Sequence, residues 1–180
     1  MTMGPESFTA GWTRLWRLAE RLGGDPETVF APVGLFLGDP TLARAWGYDC
    51  TPAHATTFAA TGVNGVHFSL VDCEGVAPVV MTVPMAFDQP NHILAGDIRE
   101  FLALGRNAGY FGLESLAYAW DRQDMINRLE RGGPPDDPTE AALLGHLAAE
   151  FALEPGQHIA RRMAQLETMY GARVRPAQEA

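Results

Sequence analysis

The sequence predicts an α+β fold, with a mostly antiparallel sheet in the middle of the chain packed by N- and C-terminal helices. Three observations predict it. Strand-like stretches fall only between Thr56 and Ala95, amphipathic helical stripes flank them on both sides, and strands and helices do not alternate regularly.

The elements follow in order. Trp12, Leu15, Trp16, Ala19 and Leu22 recur at helical spacing with arginines and Glu20 between them, and Gly23-Gly24 stops the pattern. Asp25-Pro26-Glu27 reads as a cap with proline at the first helical position, opening a short helix that Pro32 and Gly34 break. Asp39-Pro40 repeats the signal for a brief helix through Leu42 and Trp46 to Gly47. Thr56 to Phe58 has strand composition and runs into the turn Gly62-Val63-Asn64-Gly65. Beyond it Val66, Phe68 and Leu70 alternate with His67, Ser69 and Val71, as in a strand. Glu74-Gly75 turns the chain into Val76–Val83, an apolar run suited to a strand covered on both faces. Pro78 and Pro84 sit near its ends, where a strand tolerates proline. The two stretches form a predicted antiparallel hairpin, with His92–Ala95 as a third strand.

From Asp97 onward the chain reads as helical. Asp97-Ile98-Arg99-Glu100 resembles a capping box ahead of a stripe at Ile98, Phe101, Leu102 and Leu104. A second stripe holds Leu113, Leu116, Ala117 and Trp120, and a third Met125, Ile126 and Leu129. Gly132-Gly133-Pro134-Pro135 is a linker. After it, Asp137-Pro138 starts a helix burying Leu143, Leu144, Leu147 and Phe151. A last helix buries Ile159, Met163, Leu166 and Met169 or Tyr170. The expected organisation is residues 1–131 as the α+β body and 132–180 as a helical extension packed on it, in one globular unit.

Composition narrows the function. With 180 residues, 47% apolar, a mean hydropathy of −0.07 and no apolar run of about 20 residues, the chain reads as one non-membrane domain. Met1–Ala10 has neither the basic segment nor the apolar run of a secretory signal. A cytoplasmic location with both cysteines, Cys50 and Cys73, reduced is therefore expected. The net charge of −9 disfavours nucleic acid and suits a basic partner.

Catalytic motifs are missing: there is no phosphate loop, nucleophile elbow, H-E-x-x-H or C-x-x-C. Cys50, His54, His67 and Cys73 have the residue types of a zinc site, but only Cys50 and His54 are close in sequence. His67 and Cys73 share a strand face about 20 Å apart if the chain is extended. A metal enzyme using these four is the alternative to the favoured reading, two buried thiols and two ordinary histidines. Asp49 disfavours Cys50 as a nucleophile. Neither an enzymatic activity, a metal nor a cofactor is expected. Trp12, Trp16 and Trp120 read as core, whereas Trp46 and Tyr48, at a helix end, suit an exposed recognition patch. Asp72 and Glu74 at the hairpin tip, together with Asp88, are the acidic candidates for a partner-facing patch.

The order of the central residues adds a resemblance. Phe58-Ala59-Ala60-Thr61-Gly62-Val63-Asn64-Gly65-Val66-His67-Phe68-Ser69-Leu70 leads to Pro78-Val79-Val80-Met81-Thr82-Val83-Pro84-Met85. Then come Asp97–Gly105 and Gly109-Tyr110. This order resembles the SUKH superfamily of Smi/Knr-like proteins, whose glycine-rich turn enters an apolar strand, followed by a second strand and an L-x-E-F-L helix. Here Ile98–Leu102 is that helix element with Ile98 for the usual leucine, and Asn64 stands where the turn is usually acidic. The likeness spans Thr57 to Leu116. It implies a non-catalytic binding scaffold, in many members an immunity protein that neutralises a cognate toxin, often a nuclease, whose basic groove the acidic charge of this chain would suit. A regulatory or scaffolding role is the alternative it implies. A homodimer through the C-terminal helices is a third reading, made from their apolar stripes.

Overall fold

The computed structural model describes residues 8–42 and 48–174. Helix α1 (Ala10–Leu22) turns Trp12, Leu15, Leu18 and Ala19 inward. The Trp12 indole donates to the Gly38 carbonyl at 2.8 Å, so its one polar atom is satisfied inside the core. Trp16 is only half-buried, and its indole donates to Glu20.

The next segment departs from expectation. Asp25 does cap, accepting from the Glu27 amide at 3.0 Å, yet turns and a 3-10 segment at Ala31–Val33 follow in place of an α-helix. Gly34 explains the abrupt end. Its φ is +86°, and a Cβ there would lie 2.6 Å from the Phe111 amide nitrogen. The chain emerges as strand β1 (Phe36–Leu37), which no alternation in the sequence announces. The helix expected from Asp39 through Trp46 falls mostly outside the described residues. Asp39 itself accepts from the Thr41 amide and hydroxyl.

The sheet is an antiparallel meander in chain order: β1, β2 (Ala55–Ala60), β3 (His67–Val71), β4 (Val79–Thr82) and β5 (Asn91–Ala95). The hairpin of β3 and β4 pairs His67 with Thr82 and Leu70 with Val79. Bulges shift the register between Thr57 and Ala59 and between Val79 and Val80. One face presents Phe68, Leu70, Val79 and Met81 to the main core, which α1, α2 (Ile98–Leu104) and α3 (Arg122–Arg131) complete. At its centre Phe101 meets the rings of Phe58, Phe68 and Tyr110. The other face is polar along His67, Ser69 and Thr82 and apolar at Val71, Val80 and Ile93. Every residue of β3 and β4 is buried, so this strand pair is covered on both sides.

Helices α4 (Pro138–Phe151) and α5 (Ile159–Tyr170) share the main core through Leu144, Leu147, Phe151, Ile159 and Met163. Arg99 donates to the Phe151 and Ala152 carbonyls and so finishes the C-terminus of α4. Along α5 the burial passes from Met163 in the main core to Leu166 in the cluster on the opposite face. Tyr170 packs there, whereas Met169 is exposed. Arg162 forks onto Glu100 at 2.6 and 3.1 Å, and Glu100 also accepts from the Gly96 amide. Burial alone would raise the Glu100 carboxyl. The Arg162 hydrogen bonds, the Gly96 amide and the Arg162 charge outweigh it and hold the group below its usual range.

Asp137 caps α4 by accepting from the Thr139 and Glu140 amides at 2.8 and 3.0 Å. Asp137→Ala is therefore expected to lower stability by about 1 kcal/mol in urea titration, with Asp137→Ser close to the wild type.

The stripe read at Leu113–Trp120 is corrected as well. Phe111–Ala117 is a 3-10 segment that buries Leu113 and Leu116 and then ends, leaving Trp120 76% exposed. A 3-10 turn carries three residues against 3.6 in an α-helix, so the α-helical spacing does not continue to position 120.

Candidate protein-docking surface

In an antiparallel meander the connection from β2 to β3 and that from β4 to β5 lie at the same end of the sheet. Two buried histidines tie these connections to the strands. The His67 Nδ1 is 2.7 Å from the Gly65 carbonyl, which only accepts, so Nδ1 carries the proton and Nε2 accepts from the Thr51 hydroxyl at 2.9 Å. His92 donates through Nε2 to the Gln89 carbonyl at 2.9 Å. Burial lowers both imidazoles below their usual value and outweighs the carbonyl contacts, which act in the other direction.

Residues 48–52 are held against the same face. Asn91 donates to the Cys50 carbonyl and accepts from Thr82, both at 2.8 Å, while Thr57 and Ser69 share a hydrogen bond at 2.9 Å. Tyr48 stacks on His67 with centroids 5.4 Å apart. Its hydroxyl would be 2.5 Å from a Cβ at Gly65, where φ is +72°, so the turn must be bare there for the tyrosine to lie across it.

Among the described residues, this pinned end carries most of the exposed large apolar side chains. Phe87 is 81% and Met85 56% exposed on the connection from β4 to β5, and Val63 is 47% exposed on that from β2 to β3. The Phe36 ring lies against Gly62, and Phe111 packs at Gly34. Asn64 reaches Glu114, which also accepts from Tyr118, and Tyr118 stacks on Trp120. Asp49, Asp88 and Asp121 are exposed among them. The result is an aromatic and thioether surface with acidic groups interspersed, a composition suited to contact with another protein.

The sequence candidates divide between the two ends. Tyr48 and Asp88 belong to this surface. Asp72 and Glu74 do not: they sit at the β3–β4 tip, on the opposite end of the strands, where Glu74 pairs with Arg173 at 3.1 Å and Asp72 accepts weakly from the Gly75 amide. Asp72 and Glu74 therefore do not form one patch with Asp88. Trp46 lies outside the described residues. Phe87, Met85, Phe111 and Glu114 are residues that sequence reasoning passed over, and Trp120 is one that it assigned to the core. Phe87 carried a signal, since it stands in Met85-Ala86-Phe87-Asp88-Gln89-Pro90, a turn-forming stretch with no strand to bury it.

Cys50, His54, His67 and Cys73 are not brought together. Cys73 belongs to the cluster with Val80 and Leu166, His54 is exposed at φ +60°, and both ring nitrogens of His67 are engaged. Among the described residues no group of three or more His, Cys, Asp or Glu side chains converges for a metal. Both thiols are pushed up chiefly by burial, with Asp49 adding at Cys50 and Asp72 and Glu74 at Cys73, which keeps them protonated and weakly nucleophilic.

A cleft of about 490 Å³ lies between α2 and the Leu153–Met163 stretch. It has mixed charge, and two of its arginines are already engaged, Arg162 by Glu100 and Arg99 by the α4 carbonyls. Among the described residues no helix is long and apolar enough to cross a membrane.

No protein-family model matches the chain, and no curated protein and no solved structure matches it significantly.

Proposed function

We propose that this chain is a non-catalytic protein-binding module of the SUKH type, acting in the cytoplasm as an immunity protein that docks and neutralises a basic toxin domain. One observation carries the reading. Trp120, Phe87, Met85 and Val63 stand exposed together with carboxylates at the end of the sheet whose connections His67 and His92 pin. A rigid, partly apolar and acidic surface suits a partner whose own active face is cationic, as a nuclease groove must be. The SUKH-like order from Thr57 to Leu116 supports the same class, since it includes the Gly62–Gly65 turn that lies within this surface.

The test is whether a toxin-bearing gene adjoins this one and whether its toxin domain binds this chain in titration calorimetry. Phe87→Ala and Met85→Ala, both at exposed positions, are expected to weaken the complex without changing the thermal midpoint. For Phe87→Ala the loss is about 2 kcal/mol, or about 30-fold in Kd. Unchanged binding in both variants excludes docking at this end. A regulatory or scaffolding role uses the same surface and is separated by consequence: only the immunity reading has cells survive expression of the toxin domain when this chain is present.

A further inference from the structure

We infer that Tyr118, Trp120 and Glu114 form a receptor for a single arginine side chain of the basic partner, an assignment that rests on the docking reading above. Trp120 is 76% exposed, yet it is not a loose indole. It lies on Tyr118 with centroids 4.9 Å apart and planes 20° from parallel, and Tyr118 is itself half-buried against the main core. The outer indole face is thus held flat towards solvent, the orientation in which an aromatic ring attracts a cation.

Beside Tyr118, the ring on which Trp120 lies, stands a carboxylate with capacity to spare. Glu114 accepts from the Tyr118 hydroxyl at 3.4 Å and from the Asn64 amide at 3.4 Å to each oxygen. These long contacts orient the carboxylate without saturating acceptors that can take charge-assisted bonds at about 2.8 Å. Glu114 makes none of the salt bridges found among the described residues, all of which involve Glu150, Glu100 or Glu74. Its placement is deliberate in two directions: Asn64 fixes it from the β2–β3 turn and Tyr118 from the end of the 3-10 segment.

The pair of features selects among cations. A guanidinium is planar, so it stacks on an indole face while its edge forks onto a carboxylate; an ammonium is a compact, strongly hydrated point charge that cannot do both. Asp121, exposed next to Trp120, adds negative potential. The nearest cation along the chain, Arg122, is close enough to act on His92.

The full-length protein is titrated with N-acetyl-arginine amide at constant ionic strength, and the Trp120 indole N–H is followed by NMR, its assignment made with Trp120→Phe. A saturating shift with arginine is expected, with about tenfold weaker binding for N-acetyl-citrulline amide, its uncharged counterpart, and for the lysine amide. Glu114→Gln keeps the Asn64 and Tyr118 contacts available and is expected to weaken the arginine ligand by about tenfold. Citrulline or lysine matching arginine, no saturating shift, or an unchanged response in Glu114→Gln each overturns the arginine receptor. None of these results touches docking itself, which falls on the Phe87→Ala and Met85→Ala titrations against the toxin domain.

Discussion

Replacing Phe101 with alanine is expected to reduce the unfolding free energy by about 3–5 kcal/mol. The side chain is completely buried and is the joint between α2 and the sheet. Three aromatic rings surround it: Phe68 at 4.7 Å, Tyr110 at 5.2 Å, and Phe58 at 5.5 Å in an edge-on arrangement. Deleting the ring removes its transfer energy and leaves a void that cannot close readily, because its neighbours come from β2, β3 and the segment after α2. Tyr110 is also tethered by its hydroxyl to the Leu102 carbonyl at 2.7 Å. A domain of this size has about 5–15 kcal/mol in all. Urea unfolding should show a lower midpoint with an unchanged slope, and Phe101→Leu should recover most of the loss. A loss under about 1 kcal/mol would show that these four rings do not pack at one centre.

The same core shows which parts of the fold could be read in advance. Val66, Phe68 and Leu70 alternate with His67, Ser69 and Val71, and the structure keeps that division between faces. Caps were equally legible, since Asp97 and Asp137 each precede a helix and accept from its first-turn amides. Both signals are local, carried within a few residues of the element they define. β1 was not legible because two residues hold no periodicity; it exists through its pairing with Ala59 and Ala60. The exposure of Trp120 was hidden for a related reason, as nothing local distinguishes a 3-10 turn from the α-helix whose spacing the stripe assumed.

The surface needed tertiary contacts to appear at all. Phe36, Val63, Phe87, Phe111 and Trp120 are scattered over more than eighty positions, and only the meander and the contacts of Gly34, Gly62 and Asn64 bring them to one end. Composition made a basic partner the expectation, whereas the separation of Asp72 and Glu74 from Asp88 was hidden because strand direction puts the β3–β4 tip opposite the other two connections. Rigidity at that end comes from buried polar groups, which no hydropathy pattern reveals. Those groups make the surface sensitive to acid.

His67→Ala is expected to cost about 2–4 kcal/mol at pH 7.5, from the lost ring volume and from the Gly65 carbonyl and Thr51 hydroxyl left without it. The ring is completely buried, and Tyr48 stacks over it, so the cost includes the support of Tyr48 in the candidate docking surface. Protonation is expected to act in the same direction. Burial disfavours the charged forms of His67 and His92, so each folded-state pKa lies below the unfolded value of about 6.5. In that window the unfolded chain binds more protons than the folded one, and stability therefore falls as pH falls. The contribution of the two rings is complete above about pH 6.5, declines below it, and is gone once the pH is under both lowered values. Glu100 acts in a separate, more acidic window, because its carboxyl is held below the ordinary carboxylate range. Urea midpoints should be flat from pH 8 to about 7 and fall from about 6.5 downward, with a shallower fall in His67→Gln, which lacks one of the two titrating groups. An NMR titration placing the folded His67 pKa at or above 6.5 would reverse the sign and remove this explanation of the acid sensitivity.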